Sequence, residues 1–118
     1  ANVRSVLERM QSPCVVALWD ILHPCKVDET PHDVCTALDG RIGYAHVKDA
    51  YRSGDAEGWT PVSMGQGDVP VKEAVQLLSQ SSFDGYYVVE YEKGNHRDLV
   101  EPEVSLPMEI ATLKEYLI

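Results

Sequence analysis

The chain has 118 residues, which is enough for one domain and too few for two. Its composition, 44% hydrophobic and 25% charged, is that of a folded globular protein rather than a disordered or fibrous one. Nineteen acidic residues against ten basic ones give a net charge of −9, which argues against nucleic acid or an anionic membrane as the main partner. No apolar stretch approaches the ~20 residues of a membrane-spanning helix.

The cysteines and the amino terminus bear on the cellular compartment. Cys14, Cys25 and Cys35 are odd in number and lack CxxC spacing, so the pattern favours free thiols over disulfides or a structural zinc site. The amino terminus carries no signal-peptide pattern. The sequence therefore predicts a cytoplasmic protein. Because the chain opens on Ala1 rather than Met, we expect it to begin inside a longer protein.

The first third of the chain predicts a helix, a strand and a second helix. Apolar residues at helical spacing predict a helix over residues 3–10. The apolar run 14–19, which ends at Asp20, is typical of a strand covered on both faces. Thr30 is a suitable amino-terminal cap for a second helix, which Gly40 ends.

The remainder continues the same alternation. Residues 42–47 predict a strand, residues 50–69 a long polar loop, and Pro70 the start of a third helix. Residues 86–91 predict a third strand, and residues 106–117 a final amphipathic helix. Strands that alternate with helices indicate βαβ units on a parallel sheet, so the predicted fold class is α/β. No glycine-rich nucleotide-binding motif follows any of the strands.

Each predicted strand ends in a residue that can bind a metal: Asp20, His46 and Glu90. Functional groups of parallel α/β folds cluster at the carboxyl ends of the strands, so these three side chains are expected to converge. Two carboxylates and an imidazole suit Mn, Mg, Co or Fe. Simpler roles remain open: Asp20 as a cap for the following turn, and His46 as a hydrogen-bonded structural residue. A carboxylate such as Glu90 in an apolar strand costs several kcal/mol unless it is paired or coordinated.

Four segments resemble successive motifs of the sugar phosphate isomerase/epimerase family. They are Leu-Trp-Asp-Ile-Leu-His-Pro (18–24), Ala-His-Val-Lys-Asp (45–49), Met-Gly-Gln-Gly-Asp-Val-Pro (64–70) and Phe-Asp-Gly-Tyr-Tyr-Val-Val-Glu (83–90). The resemblance implies a xylose isomerase-like TIM barrel, with the three strands as the sixth, seventh and eighth of eight. Residues 1–118 would then be the carboxyl-terminal part of the barrel, because a complete one needs about 250 residues.

The resemblance also implies a set of site residues. Asp20, His46 and Glu90 match three of the family's four metal ligands, and the fourth, a Glu on strand five, would precede this chain. His23 matches a histidine that contacts substrate oxygen, and Arg52 matches an arginine that some sugar epimerases place on substrate hydroxyls. Glu90 would also belong to the acid/base pair that moves a proton through a metal-stabilised enediolate.

The implied substrate is a small sugar or polyol, and the implied reaction is isomerisation, epimerisation or dehydration. With the strand-five Glu absent, the 118-residue chain by itself is expected to bind metal weakly and to epimerise nothing measurable. Because a partial barrel exposes sheet edges and its interior face, we also expect the chain to form a homodimer.

Two other functions remain open. One is a non-catalytic partial barrel that keeps the motifs and serves in assembly by self-association. The other is the metal-dependent hydrolysis of the related apurinic endonucleases, which place an Asp-x-His pair before the glycine motif. At the corresponding position this chain reads Trp-Thr-Pro (59–61), which cannot bind zinc, and the acidic net charge also opposes DNA binding.

Overall fold

The computed structural model describes residues 2–54 and 58–118, which contain five helices and five strands. The helices are α1 (Val3–Met10), α2 (Leu22–Cys25), α3 (Pro31–Ala37), α4 (Val71–Ser79) and α5 (Pro102–Tyr116). The strands are β1 (Ala17–Asp20), β2 (Ile42–Val47), β3 (Asp49–Arg52), β4 (Trp59–Val62) and β5 (Tyr86–Val89). None of the described helices has the length and hydrophobicity that a membrane crossing requires.

Strands β1, β2 and β5 form a parallel sheet in that order. Parallel neighbours cannot be joined by a tight turn, so α2 and α3 make the first crossover and α4 lies within the second. The predicted α/β class with parallel strands is confirmed. In the part of the chain that is described, the sheet is open, with β1 and β5 at its edges, and it does not close into a barrel.

The two faces of the sheet differ sharply in burial. Side chains alternate between the faces of a strand, and those of Trp19, Ala45 and Val47 lie in the core against α3 and α4. Leu18, Tyr44 and Tyr86 point to the other face and are exposed. The sequence pattern predicted strands covered on both sides, whereas the described residues cover only one.

The predicted second helix begins as expected. Thr30 Oγ1 accepts the N–H of Asp33, and the Asp33 carboxylate accepts the N–H of Thr30, which together form a capping box ahead of Pro31 at the first helical position. The Thr30 hydroxyl also donates to the Asp33 carboxylate at 2.6 Å, and this bond, together with that from the Thr30 N–H, holds the pKa of Asp33 below its ordinary value.

The region predicted as a loop over residues 50–69 contains an antiparallel hairpin instead. Strands β3 and β4 pair with Ala50 opposite Pro61 and Tyr51 opposite Thr60. The prediction was wrong because strands of only four residues are too short to show a clear hydrophobic periodicity, so the pairing is specified by contacts rather than by local pattern. Part of that predicted loop, residues 55–57, lies outside the described residues.

The buried face of the final helix overlaps the predicted apolar face only in part, at Leu113 and the partly buried Leu106. Ser105, Glu109 and Leu113 are its buried residues, whereas Ile110 and Leu117 are 44% and 40% exposed. The sequence pattern assigned the apolar residues to the core. In the structure the Glu109 carboxylate accepts the buried N–H of Met64, so the helix is oriented by a polar contact to a distant loop.

The glycine-containing loop after β4 is folded around one buried carboxylate. Asp49 accepts the N–H groups of Gly65 (2.8 Å), Gly67 (3.0 Å) and Val69 (3.3 Å), and also that of Ala50 (2.8 Å). Four backbone donors satisfy a carboxylate whose burial would otherwise be costly. These amides are therefore engaged by the protein itself and are not a cradle for a phosphate.

Gly67→Ala is expected to destabilise the chain strongly. A Cβ at Gly67 would stand 2.5 Å from the Ala50 carbonyl oxygen and closer still to the Asp49 carboxylate, both of which are fixed by the hairpin. Overpacking of this kind typically costs about 1–3 kcal/mol of unfolding free energy. Urea denaturation measures the change. Gly94→Ala is the matched control because its Cβ would meet nothing within 4 Å, and an equal loss in both variants would contradict the steric explanation.

Candidate metal centre

Asp20, His46 and Glu90 lie together at the carboxyl ends of the three parallel strands. Each offers a ligand atom, and these atoms lie within 4.8 Å of one another. The strand register accounts for this, since Asp20 is aligned with His46 on the adjacent strand and the N–H of Glu90 donates to Val47 O at 3.0 Å. Neighbouring parallel strands thus bring residues 26 and 44 positions apart to one point.

The same three side chains lie on the uncovered face of the sheet. Because strand residues alternate, Asp20 and His46 face away from the core that holds Trp19 and Val47. All three are partly buried rather than exposed. Glu90 Oε2 is 3.2 Å from His46 Nδ1, so the imidazole and the carboxylate are already in hydrogen-bonding contact. The centre is therefore reached from the uncovered face of the sheet.

Asp20 combines two roles that its sequence position left open. One oxygen, Oδ1, accepts the N–H of Leu22 at 3.0 Å and so caps the turn after β1. The other, Oδ2, faces the cluster, where it lies 2.9 Å from Lys48 Nζ and 3.4 Å from His23 Nε2. The cap fixes the orientation of the carboxylate and leaves one oxygen available for a cation.

Lys48 is the one cation at the middle of this cluster among the described residues. Its ammonium group lies 2.9 Å from Asp20 Oδ2, 2.9 Å from Glu90 Oε2 and 3.5 Å from Glu92 Oε1. Burial alone would lower the pKa of Lys48, but the hydrogen bonds and charges of Asp20 and Glu90 raise it above 10.5. The resulting stability is fully present below pH 10.5 and is lost only as the pH rises through the folded-state pKa.

The donor set fits a divalent cation of the predicted kind. Two carboxylates and one imidazole supply oxygen and nitrogen ligands, which Mn, Mg, Co and Fe accept and which differ from a thiolate-rich zinc site. The three donor atoms already span a distance that one ion can bridge. The assignment of Asp20, His46 and Glu90 as metal ligands stays a prediction.

The two predicted substrate-binding residues have different surroundings. His23, on α2, is 64% exposed and lies beside Asp20 at the edge of a cavity of 630 Å³ that Leu18 and Val27 also line. Arg52 instead donates to Asp28 Oδ1 at 2.8 Å, and its guanidinium lies 5.0 Å from the centre of the Trp59 ring. The structure thus brings His23 to Asp20, one of the three donors, and gives Arg52 partners of its own.

Lys48 belongs to the Ala-His-Val-Lys-Asp segment (45–49) but was not among the predicted site residues. The signal was present, because Lys48 is two residues after His46 and Glu92 is two residues after Glu90. Where the extended backbone continues past the strand end, residues two apart point to the same face. Lys48 and Glu92, two positions beyond the predicted ligands, could therefore have been predicted as neighbours of the ligand side chains.

A comparison with protein families matches residues 1–116 to the family described as xylose isomerase-like TIM barrel. The match covers nearly the whole chain and agrees with the resemblance seen in the four sequence motifs. A search of curated proteins found no match to this chain.

Proposed function

We propose that this chain, which belongs to the xylose isomerase-like TIM barrel family, supplies three ligands of a divalent metal centre in a sugar isomerase or epimerase. One observation carries the proposal. Two carboxylates and an imidazole, from the ends of three successive parallel strands, place their donor atoms within 4.8 Å of one another on the open face of the sheet.

A bound divalent cation would act as a Lewis acid that polarises a carbonyl or hydroxyl oxygen of the substrate. Glu90 is the base that accepts a proton from the carbon beside that carbonyl. Its position supports this role, since its carboxylate is partly buried and contacts His46 at 3.2 Å. A carboxylate oriented by such a contact loses less freedom when substrate binds, which favours proton transfer at a defined atom.

His23 is the residue best placed to bind a substrate hydroxyl. Its imidazole is exposed, reaches to within 3.4 Å of Asp20 Oδ2, and borders a cavity whose 630 Å³ volume falls in the ~300–1,000 Å³ range of small-molecule sites. A small sugar or polyol in this cavity would meet the metal centre at Asp20, because His46 and Glu90 do not line the cavity. Arg52 joins substrate binding only after its ion pair with the exposed Asp28 opens.

The first test is metal binding by the purified chain. Titration with Mn²⁺, followed by the electron paramagnetic resonance signal of the free ion, is expected to show one weak site per chain. Asp20→Asn is expected to weaken binding about 10- to 100-fold or more, because the amide lacks the charge of a ligand carboxylate. The amide keeps an oxygen that can accept the Leu22 N–H, so the fold is expected to survive.

Asp39→Asn is the matched control, since Asp39 is exposed and its loss changes the net charge equally. Equal weakening in both variants would mean that Mn²⁺ responds only to overall charge. The absence of any saturable Mn²⁺ binding by the unsubstituted chain would overturn the proposed metal centre.

A further inference from the structure

The position between the carboxylates of the proposed metal centre is held by a side chain of the protein. Lys48 Nζ contacts Asp20 Oδ2 and Glu90 Oε2, each at 2.9 Å. The other Asp20 oxygen is engaged by the Leu22 N–H. The ammonium group thus binds the one Asp20 oxygen that a metal ion would use, and it also binds Glu90 where His46 meets it.

The Lys48 side chain is also the least exposed member of this cluster, at 12%. A partly buried ammonium between two carboxylates cancels a repulsion that would otherwise oppose folding of the chain. The same charge opposes the entry of a divalent cation, because like charges at a few ångströms repel strongly in a partly buried site. Lys48 therefore favours the metal-free state and disfavours the metal-bound one.

A third carboxylate lies next to Lys48 and outside the three predicted ligands. Glu92 Oε1 is 3.5 Å from Lys48 Nζ, and its other oxygen is 3.8 Å from His96 Nε2. The flexible four-carbon stem of a lysine allows the ammonium to move over such a distance. The Lys48 ammonium can therefore move to Glu92 and still have a carboxylate partner.

We propose that Lys48 is an internal counter-cation of the metal centre, which binds Asp20 and Glu90 in the metal-free chain and moves to Glu92 when a divalent ion enters. The proposal rests on the proposed function, since it requires a metal site at Asp20, His46 and Glu90. It assigns to Lys48 and Glu92 the control of metal affinity.

The direct test replaces Lys48 by Met, which keeps the apolar stem and removes the charge. Without metal, Lys48→Met is expected to lower the midpoint of thermal unfolding, because Asp20 and Glu90 then repel each other. With Mn²⁺, the variant is expected to bind about tenfold more tightly or better, because the competing charge is gone. Lys48→Arg retains the charge and is the control, with Mn²⁺ affinity no higher than that of the unsubstituted chain.

Glu92→Gln tests the second half of the proposal. It is expected to weaken Mn²⁺ binding about tenfold when Lys48 is present, because the displaced ammonium has lost its acceptor. In the Lys48→Met background the same change is expected to have little effect. A double-mutant cycle separates this coupling from a general loss of negative charge, which would weaken Mn²⁺ binding equally in both backgrounds.

The outcomes separate the two proposals. If the unsubstituted chain binds no Mn²⁺ in a saturable manner, the proposed metal centre fails. If it binds Mn²⁺ but Lys48→Met binds no more tightly, the counter-cation role of Lys48 is wrong while the metal centre stands. Should Lys48→Met not fold, Lys48→Arg and Glu92→Gln are compared instead. Unchanged affinity in Glu92→Gln then overturns the proposal.

Discussion

Glu90→Gln is expected to lower the rate of proton exchange into a ketose by about 10²–10⁴-fold, the usual contribution of a positioned general base. The measurement is deuterium incorporation from D₂O at the carbon beside the carbonyl, followed by NMR at saturating Mn²⁺. D-fructose, D-fructose 6-phosphate and hydroxypyruvate serve as test substrates. The physical reason is that an amide can occupy the position of Glu90 but cannot accept the proton.

The same experiment separates exchange from epimerisation. Exchange with retention needs a base on one face of the substrate, whereas inversion needs a second group on the opposite face. Since Glu90 is the proposed base at the described centre, we expect no epimer to accumulate with the 118-residue chain. Accumulation of an epimer would show that another group acts on the second face.

Glu73→Gln, on the exposed surface of α4, is the control for the loss of one negative charge. It is expected to leave the exchange rate unchanged. If the unsubstituted chain saturated with Mn²⁺ exchanges no proton in any of the three substrates, Glu90 is not a functional base in this chain.

The chain is expected to sediment as a dimer at micromolar concentration, with twice the monomer mass of 13.1 kDa. Leu18, Tyr44, Tyr86 and Val88 are all exposed on the open face of the sheet, and Tyr86 is 70% exposed. Burying such a side chain contributes about 1.5–3 kcal/mol. The burial of several such side chains therefore contributes a free energy comparable to a large part of the ~5–15 kcal/mol that stabilises a domain.

Tyr86→Lys is expected to shift the dimer toward the monomer, because an ammonium group on that face must be buried on association. It also breaks the stacked contact between Tyr44 and Tyr86, whose ring centres lie 5.9 Å apart. Thr36→Lys adds the same charge on the exposed surface of α3 and is expected to leave the sedimentation unchanged. A monomeric unsubstituted chain with well-dispersed NMR signals would contradict the dimer.

The sequence by itself determined the order of the main elements and the parallel sheet. Apolar runs such as residues 14–19 and helix caps such as Thr30 act locally, so their pattern is readable without knowledge of the fold. The placement of Asp20, His46 and Glu90 at one edge also followed from the sequence. Residues at the carboxyl ends of adjacent parallel strands meet wherever the strands pair in order.

Only the tertiary structure decided the remaining features, because they depend on contacts between distant segments. The β3–β4 hairpin, the buried face of α5 with Glu109, and the four N–H donors around Asp49 leave no periodic signal. The same holds for Lys48, whose position between Asp20 and Glu90 is set by the register of three strands. Local pattern specifies which elements form, whereas the pairing of charges across the sheet is fixed only when the strands come together.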